Sequence, residues 1–210
     1  MGRTKRDMGQ SDFENENRVS MRIVQVGANK GNTDNDPVWK LVQANLPDSL
    51  NWSIVLIEPN PYAVKILRET YKGFSNAHIL ECACGDETGV STLYVDHLDD
   101  ESSSQHSSLI YDHLIRHEHK PEVIGLVSVK IYKLGDLIDS SCQIDLLQID
   151  AEGYDYKVLL GCDFGKFDIK QVQYEHMHLK GGEKEMAHHY MIGHGYKLIR
   201  ANIMDSIYGK

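Results

Sequence analysis

The sequence predicts an α/β protein built on a doubly wound, mostly parallel sheet. Short apolar segments rich in β-branched residues alternate with segments whose apolar residues recur at helical spacing, which is typical of parallel strands joined by helices. The first apolar segment runs directly into a turn bracketed by two glycines, and the last two strand-like segments form a hairpin. A chain of 210 residues is long enough to bury the core of one such domain.

Residues 1–19 are predicted to form a disordered tail, and residues 20–210 a single domain. The tail is charged, rich in asparagine and poor in large apolar residues. It shows no secretory signal, and its opening Met-Gly lacks the Ser or Thr at position 6 that a myristoylation signal requires. No apolar run in the chain approaches the ~20 residues of a membrane helix.

The charge and the cysteines disfavour several classes of protein. A net charge of −9 at pH 7 argues against a nucleic acid or an anionic membrane as the main partner. The four cysteines, at positions 82, 84, 142 and 162, contain no C-x-x-C pair and no zinc-like spacing. Buried free thiols in a reducing cytoplasm are therefore expected.

The first predicted strand, at residues 22–26, ends at the glycine-bracketed turn. Gly27 and Gly31 allow the backbone to turn sharply and to lie close to a ligand. In an open α/β sheet, the crevice beyond the carboxyl end of this strand is where nucleotide-like cofactors bind. Asp36 as N-cap and Pro37 at the first helical position predict that a helix follows. A tight turn without a ligand is the alternative interpretation.

The remaining elements are predicted from the same two periodicities. Strands are expected at residues 53–57, 78–84, 91–95, 126–132 (an edge strand), 144–149 and 171–176. Helices are expected to begin in the Pro-Asn-Pro at 59–61 and to cover residues 134–138, 155–160 and 183–192. Residues 196–202 and 206–208 are expected to form the final antiparallel hairpin. The Ser- and His-rich segment 96–121 is typical of an active-site loop or lid.

Glu58 directly follows the second predicted strand, next to the glycine turn in such a sheet. A carboxylate at this position can accept both hydroxyl groups of a ribose. It lies about 30 residues after the glycine turn rather than the usual ~20, and the long loop before Pro37 could absorb the difference. Alternatively, Glu58 is an exposed carboxylate that caps the helix beginning at Pro59.

The spacing of the glycines favours S-adenosylmethionine over a dinucleotide. Pyrophosphate binding needs G-x-G-x-x-G with a helix N-terminus directly behind it, whereas this turn is G-x-x-x-G and its helix begins later. S-adenosylmethionine has a ribose and an adenine, no phosphate, and a positively charged sulfonium. A pocket containing Glu58, Asp150 and Glu152 would suit that charge.

Three segments together resemble the FkbM-type S-adenosylmethionine-dependent methyltransferases. They are Val-Gly-Ala-Asn-Lys-Gly at 26–31, Leu-Ile-Glu-Pro-Asn-Pro at 56–61 and Leu-Gln-Ile-Asp-Ala-Glu-Gly at 147–153. Residues 134–138 and 158–161 match as well, so the resemblance covers roughly residues 22–176 in the right order. It implies a Rossmann-like class I methyltransferase domain with a seven-stranded sheet. Such domains typically act on a hydroxyl group of a sugar or another small metabolite.

The resemblance also implies which residues hold the methionine and ribose parts of the cofactor. Four residues of the glycine turn would line the methionine part: Gly27, Ala28, Asn29 and Gly31. Glu58 would hold the ribose, with Asn60 nearby. The chain departs from the family at two places, with Gln25 where many members have an acid and Lys30 as a charged residue in the turn.

The adenine and sulfonium ends are assigned in the same way. The turn that would approach the adenine is Cys84-Gly85-Asp86, and Asp86 could accept from the exocyclic amine. Asp150 and Glu152 would border the sulfonium and the acceptor. Ser107 and Ser108 match a serine-containing loop that the family often has near the cofactor.

Methyl transfer requires an aligned acceptor and a group that takes its proton. Asp150 is the first candidate for this general base, followed by Glu175 and His176. Alternatively, Asp150 is a structural carboxylate that caps the turn into Gly153.

The histidines indicate no metal site strongly enough to predict one. His176 and His178 share a strand face, and with Glu175 and Asp150 they could hold a divalent ion. Histidines at loop rims and in helices are more often solvated or hydrogen-bonded, so the sequence predicts no metal. Three histidines are expected on the surface: His188, His189 and His194. Four in the predicted lid are candidates for substrate contact: His106, His113, His117 and His119.

The sequence therefore predicts a cytoplasmic S-adenosylmethionine-dependent methyltransferase, with a hydroxyl group of a small molecule or carbohydrate as acceptor. One alternative is a nicotinamide (NAD)-dependent oxidoreductase, which the glycine spacing disfavours. The other is a non-catalytic nucleoside-binding module on the same fold. No oligomeric state is predicted.

Overall fold

The computed structural model describes residues 21–96, 106–139 and 143–210. Its strands are β1 (Arg22–Val26), β2 (Ser53–Ile57), β3 (Ala77–Leu80), β4 (Ala83–Cys84), β5 (Gly89–Asp96), β6 (Ile124–Tyr132), β7 (Ile144–Ile149), β8 (Ile169–Glu175), β9 (Lys197–Ala201) and β10 (Asp205–Gly209). Its α-helices are α1 (Pro37–Ala44), α2 (Pro61–Thr70), α3 (Tyr111–Arg116), α4 (Leu134–Leu137), α5 (Asp155–Leu160) and α6 (Glu183–Gly193). The predicted tail at 1–19 lies outside these described ranges, as do residues 97–105 of the predicted lid and Cys142.

Seven strands form one sheet in the order β3-β2-β1-β7-β8-β10-β9. The pairs from β3 to β8 are parallel, whereas β10 is antiparallel to both β8 and β9. This confirms the predicted doubly wound, mostly parallel sheet and its C-terminal antiparallel hairpin. The strand order reverses between β1 and β7, and ligands of such sheets bind in the crevice at this reversal.

Both faces of the sheet are buried because its strands are apolar at successive positions. Val24 and Val55 face a core that α5 and α6 cover. Ile23 and Ile54 face the opposite core, against α1 and α2. Neighbouring side chains of a strand point to opposite faces, so a continuous apolar run predicts helices on both sides.

Two predicted strands take places in the fold other than those expected. The expected strand at 78–84 is divided: β3 belongs to the main sheet, while β4 joins a second sheet ordered β4-β6-β5. The Cys82 N–H donates to the Leu80 carbonyl over 3.1 Å, and this tight turn redirects the chain. The expected strand at 126–132 is present as β6, but its expected edge position is wrong. It lies in the middle of the second sheet, between β4 and β5.

The predicted lid contains a helix, α3, that the sequence analysis did not predict. Helix α3 has no side-chain hydrogen bond at its N-cap, Ile110, so the usual polar start signal is missing. The helix packs beside β5, and its residues His113 and Leu114 are fully buried.

The described helices and cysteines give two further findings. None of the helices in these ranges combines the length and the apolar character that crossing a bilayer requires. Cys82, Cys84 and Cys162 are buried and carry free thiols.

Candidate active site

A cavity of about 270 Å³ opens where β1 and β7 end side by side. One wall is the glycine turn after β1 and the other is the turn at 150–154 after β7. The joint between β3 and β4 also lines it, together with residues 106–109 and the segment that follows β8. The volume is close to the lower end of the range for small-molecule sites. The cavity thus lies at the reversal of strand order.

The glycine turn lies tightly against the ends of the neighbouring strands. Gly27 has a φ of 77°, and a Cβ there would collide with the carbonyl oxygen of Asp150. The N–H groups of Gly27 and Ala28 both donate to the Ile57 carbonyl, over 2.9 and 3.1 Å. Asn29 takes a φ of 47° without being glycine, a conformation that stores strain and recurs at functional sites. The turn therefore presents its backbone to the cavity in one fixed shape.

The Glu58 carboxylate joins the glycine turn to the start of α2. Its Oε2 accepts from the Asn29 N–H and its Oε1 from the Asn60 N–H, both over 2.8 Å. Burial raises the pKa of Glu58 to about 7, against the lowering effect of these two hydrogen bonds. Each oxygen of a carboxylate has two lone pairs, so each Glu58 oxygen can accept from one further donor in the cavity.

A serine pair closes one side of the cavity. The Asn60 side chain caps α2 and donates from Nδ2 to the Ser107 Oγ over 2.9 Å. The Ser108 Oγ donates to the Glu152 carbonyl over 2.9 Å and accepts from the Ile110 N–H over 3.0 Å. These bonds tie the segment before α3 to both the α2 side and the β7 side of the cavity.

The turn after β7 brings two carboxyl groups to the cavity. Burial, followed by the charge of Glu152, raises the pKa of Asp150 to about 8. Burial also raises the pKa of Glu152 to about 7, and its backbone has a φ of 50°. Asp155 caps this turn, accepting from Ala151 N over 3.1 Å and from Gly153 N over 3.2 Å. The structural capping role therefore belongs to Asp155, and the Asp150 side chain lines the cavity.

Glu175 and His176, at the end of β8, lie in different surroundings. Glu175 lines the cavity, is only 5% exposed, and has a pKa that burial and then the charge of Asp150 raise to about 9. His176 does not line the cavity within the described residues, and its Nδ1 lies 2.9 Å from the Ser206 Oγ. Glu175 is therefore the better placed of these two candidate bases.

The cavity is acidic and has no fixed basic group among the residues that the structure describes. Its lining includes the carboxyl groups of Asp36, Glu58, Asp150, Glu152 and Glu175, and neither lysine nor arginine. Burial is the largest cause of the raised pKa at each of these groups. A buried cation would stabilise their ionised forms, so the cavity favours a positively charged ligand over an anionic one.

The sequence model of the methyltransferase FkbM domain matches residues 25–198, which is most of the chain. The chain belongs to the FkbM methyltransferase family. This confirms the family that the three sequence segments indicated.

One solved structure supports the fold of this FkbM-family chain. Methyltransferase FkbM from Methylobacillus flagellatus KT has a TM-score of 0.56 and 13% identity, over 91% of this chain and 44% of that one. The chain therefore spans less than half the length of that protein. The likeness confirms the Rossmann-like methyltransferase fold.

Two other solved structures are less similar. Precorrin-6y C5,15-methyltransferase from Geobacter metallireducens GS-15 has a TM-score of 0.49 and 11% identity, covering 91% of this chain and 80% of that one. Aeropyrum pernix fibrillarin, solved with natively bound S-adenosyl-L-methionine, has a TM-score of 0.46 and 8% identity, with coverages of 90% and 66%. These two likenesses support no conclusion about function. No curated protein matches the sequence significantly.

Most of the predicted site residues of the FkbM-family domain line the cavity, although no bound ligand tests their roles. Those in the lining are Gly27, Ala28, Asn29, Glu58, Cys84, Ser108, Asp150, Glu152 and Glu175. Those outside it, among the described residues, are Gly31, Asn60, Gly85, Asp86 and His176.

The predicted residues outside the lining make other contacts. Gly31 packs against α2, where a Cβ would collide with Leu67 and approach Tyr71. A Cβ at Gly85 would approach Ile131 to 2.7 Å. The Asp86 carboxylate accepts from the Lys157 Nζ over 2.8 Å. This ion pair engages the carboxylate that the family resemblance assigned to the adenine.

The sequence analysis did not predict that several histidines lie together beside the cavity. Two of them, His113 and His117, are four residues apart in and just after α3, and the turn between them is helical. Their H-x-x-x-H spacing is the signal that could have indicated a shared face. Their partner His178 comes from the loop after β8, and only the folded chain brings it close.

These histidines are held in the neutral form. Burial, followed by the charge of Arg116, lowers the pKa of His113 to about 4. Burial, followed by the charge of His113, lowers the pKa of His178 to about 4. The pKa of His117 is also lowered, mainly by burial.

Proposed function

We propose that this chain is an S-adenosylmethionine-dependent methyltransferase that methylates a hydroxyl group of a small molecule or carbohydrate. The observation that carries the proposal is the cavity at the β1–β7 reversal, lined by five carboxyl groups, three of them buried, and by no lysine or arginine among the described residues. When bound, S-adenosylmethionine supplies a methyl group on a positively charged sulfur. An acceptor oxygen can attack this methyl carbon in line, and the sulfur is the leaving group. The net charge of −9 is the basis for preferring a small acceptor to a nucleic acid.

The residues at the β1 and β2 ends of the cavity fit the cofactor. Glu58 keeps one lone pair on each oxygen after accepting from Asn29 and Asn60, which suits the two hydroxyl groups of a ribose. Gly27, Ala28 and Asn29 of the glycine turn line the cavity and are the residues proposed to face the methionine part. Cys84 and Leu93 provide an apolar surface on the side of the second sheet for the adenine.

Asp150 is the proposed general base. It lines the cavity, and no hydrogen bond to the neighbouring turn occupies it, since Asp155 makes those bonds. With a pKa raised to about 8, its carboxylate is a stronger base than an ordinary aspartate and is partly ionised at neutral pH. Asp150 takes the proton of the acceptor hydroxyl as the new oxygen–carbon bond forms. Glu175 and Glu152 border the same space and are the second candidates.

Binding of the cofactor is tested by calorimetric titration with S-adenosylmethionine, S-adenosylhomocysteine and NAD. We expect the first two to bind and NAD not to bind, because the described lining of the cavity offers neither lysine nor arginine for a pyrophosphate. Glu58→Gln should weaken binding by about 1–3 kcal/mol, since hydrogen bonds to charged groups have this value. Asp145→Asn, at the opposite end of β7, is the matched control and should bind as the parent does. Tight NAD binding, or an unchanged affinity of Glu58→Gln, would contradict the proposal.

Catalysis is tested by following labelled methyl transfer to a panel of sugars, glycosides and small hydroxylated metabolites. The parent chain should methylate a subset of them. Asp150→Asn should lose at least about 100-fold in turnover, within the range that a positioned base contributes, while still binding S-adenosylhomocysteine. Binding without transfer to any acceptor would favour the non-catalytic module instead.

A further inference from the structure

Five histidines converge at the rim of the cavity, and we call them the histidine cluster: His106, His113, His117, His119 and His178. They come from three places in the fold, namely the segment before α3, α3 with the turn that follows it, and the loop after β8. The ring centroids of His113 and His117 are 4.5 Å apart, and those of His117 and His178 are 5.0 Å apart. The cluster therefore concentrates imidazole nitrogens from distant parts of the sequence.

Three members of the cluster point ligand atoms at one another. His113, His117 and His178 each offer a ring nitrogen within 4.8 Å of the other two. Glu152 joins them, because its Oε2 lies 2.9 Å from the His113 Nε2 and 3.9 Å from the His178 Nε2. Nitrogen and oxygen ligands about 2.0–2.2 Å from a zinc ion lie roughly 3–4 Å from each other, so the three histidines approach the spacing that one ion requires, and Glu152 contacts two of them.

The burial of His113 is a second, independent indication of a ligand. The residue has no exposed surface, and neither of its ring nitrogens makes a hydrogen bond of acceptable geometry with any described residue. Buried polar atoms are nearly always satisfied, so a buried imidazole whose Nδ1 has no partner in the described structure, and whose Nε2 meets the Glu152 Oε2 without hydrogen-bond geometry, needs an explanation. Glu175, 5% exposed and 3.8 Å from the His178 Nε2 through its Oε1, also has an unsatisfied Oε2 in the described structure.

We propose that His113, His117, His178 and Glu152 bind one divalent transition-metal ion at the rim of the cavity. Three imidazoles and one carboxylate suit zinc, cobalt, nickel or iron, whereas magnesium and calcium prefer an all-oxygen set. An ion can reach the site because His117, His178 and Glu152 line the open cavity.

The neighbouring triad of Asp96, His106 and His119 is a less suitable metal site. Its ligand atoms also lie within 4.8 Å of one another. However, the His106 Nδ1 and the His119 Nε2 are already 3.0 Å apart in a hydrogen bond. The His106 ring stacks on His117, with centroids 4.5 Å apart. We therefore propose that this triad does not bind the ion and that its His106 ring holds His117 in position.

The position of the ion gives it a role that rests on the proposed methyltransferase function. It would face the same cavity as Asp150 and Glu58, and so the acceptor as well as the cofactor. A bound cation polarises the oxygen of a coordinated ligand and fixes its position. We therefore expect acceptors whose hydroxyl group can coordinate the ion to be preferred.

The test uses the full chain without a histidine tag, stripped with a chelator and titrated with zinc and, separately, with cobalt(II). We expect saturation at one ion per chain and visible absorption bands typical of cobalt bound by nitrogen and oxygen ligands in fewer than six positions. Magnesium at the same concentration should not compete. An absence of zinc binding, or a cobalt spectrum identical to that of the free aqueous ion, would overturn the proposal.

Two variants and a control locate the ion. His117→Ala and His178→Ala should each weaken zinc binding by at least about 10-fold, since losing even a hydrogen-bond partner of a metal ligand costs about 10-fold or more. His189→Ala removes an exposed histidine from α6 and should bind zinc as the parent does. Equal losses in all three variants, or no loss in the first two, would overturn the assignment. Circular dichroism of each variant shows whether it is folded. The cobalt spectrum of the parent shows whether the chain binds the ion at all, independently of any variant.

Failure of this proposal can be distinguished from failure of the proposed function. S-adenosylhomocysteine binding is measured with the chelator present. Binding of the nucleoside without binding of zinc removes only the metal site, whereas zinc binding without nucleoside binding removes only the methyltransferase assignment.

Discussion

At the scale of single residues, the site is distinguished by carboxyl groups that are buried without a lysine or arginine beside them in the described structure. Glu175 shows this most clearly, because it is nearly inaccessible to solvent and has an unsatisfied oxygen among the described residues. Its nearest charged neighbours include the carboxyl groups of Asp150 and Asp155, which raise its pKa further. The side chain is therefore held in its neutral form at the expense of folding stability.

Replacing Glu175 with glutamine should stabilise the ligand-free protein in alkaline solution. Glutamine has the shape of the neutral acid and needs no proton, whereas Glu175, with a pKa of about 9 against an ordinary 4.5, must keep one. At pH 8.5 the free energy of unfolding should rise by about 1–3 kcal/mol, while at pH 5 it should change by less than about 0.5 kcal/mol. Urea denaturation at the two pH values measures both quantities.

Glu185→Gln, which changes an exposed carboxyl group on α6, serves as the control. It should alter the unfolding free energy by less than about 0.5 kcal/mol at either pH. A destabilised Glu175→Gln at pH 8.5 would mean that the carboxyl group of Glu175 is ionised and paired.

The positions of residues at strand ends were the most predictable part of the site. The rule that ligands bind beyond the carboxyl ends of parallel strands placed Glu58, Asp150 and Glu175 at one edge, and the structure has them in one cavity. The rule could not foresee that Lys157 pairs with Asp86 or that Asp155 caps the turn after β7. Those outcomes depend on which side chains meet across the fold, and spacing along the chain does not contain that information.

At the scale of elements, the decisive contact is the one between the glycine turn and the end of β7. The two segments are more than a hundred positions apart in the sequence, yet a Cβ at Gly27 has no room beside the Asp150 carbonyl. The strand pairing of β1 with β7 fixes this approach. The absence of a side chain at this one position therefore allows the glycine turn to lie directly against the end of β7.

Gly27→Ala should disrupt both stability and ligand binding. The methyl group would meet backbone, which cannot move aside cheaply, and alanine at a φ of 77° adds strain. We expect a loss of at least about 2–3 kcal/mol in unfolding free energy and no measurable S-adenosylhomocysteine binding. Denaturant titration and calorimetry measure the two effects.

Gly73→Ala is the matched control, because a Cβ there has nothing within 4 Å. Its unfolding free energy should be unchanged or higher by up to about 1 kcal/mol, since alanine restricts the unfolded chain. A Gly27→Ala protein as stable and as active in binding as this control would show that the turn is free to move.

Elements with strong periodicity were predictable, and elements without local signals were not. The strands of the main sheet follow from apolar runs such as residues 54–57, which lie in β2. Helix α3 has no side-chain cap, and the break between β3 and β4 depends on one tight turn at Cys82, so neither stands out in the sequence. The histidine cluster forms only when tertiary folding places α3 beside the loop after β8, so the sequence pattern does not indicate it.

At the scale of the whole molecule, the acidic cavity makes stability depend on pH in a defined direction. The carboxyl groups of Glu58, Asp150, Glu152 and Glu175 have pKa values of about 7, 8, 7 and 9 in the folded protein. A carboxyl group whose pKa is raised on folding contributes stability below its unfolded pKa, and this contribution is lost as the pH rises through the folded pKa. Stability should therefore fall between about pH 5 and pH 9.

The measurement is the midpoint of thermal unfolding of the ligand-free, chelator-treated protein at constant ionic strength. We expect it to fall by roughly 2–10 °C between pH 6 and pH 9, corresponding to about 1–3 kcal/mol. His113 and His178, with pKa values near 4, act in the opposite direction, so they should reduce the gain in stability on acidification below about pH 6. A midpoint that rises from pH 6 to pH 9 would contradict this account.

The connection between the two sheets has a consequence for how the cavity could change during evolution. Cys82 and Ala83 form part of the cavity floor at the point where the chain leaves one sheet for the other. The smaller sheet has its own apolar cluster, which includes Leu93 and Val129, and Leu93 also reaches the cavity. Under the proposed function, substitutions that repack this second core should change which molecules the cavity accepts, while the seven-stranded sheet stays as it is.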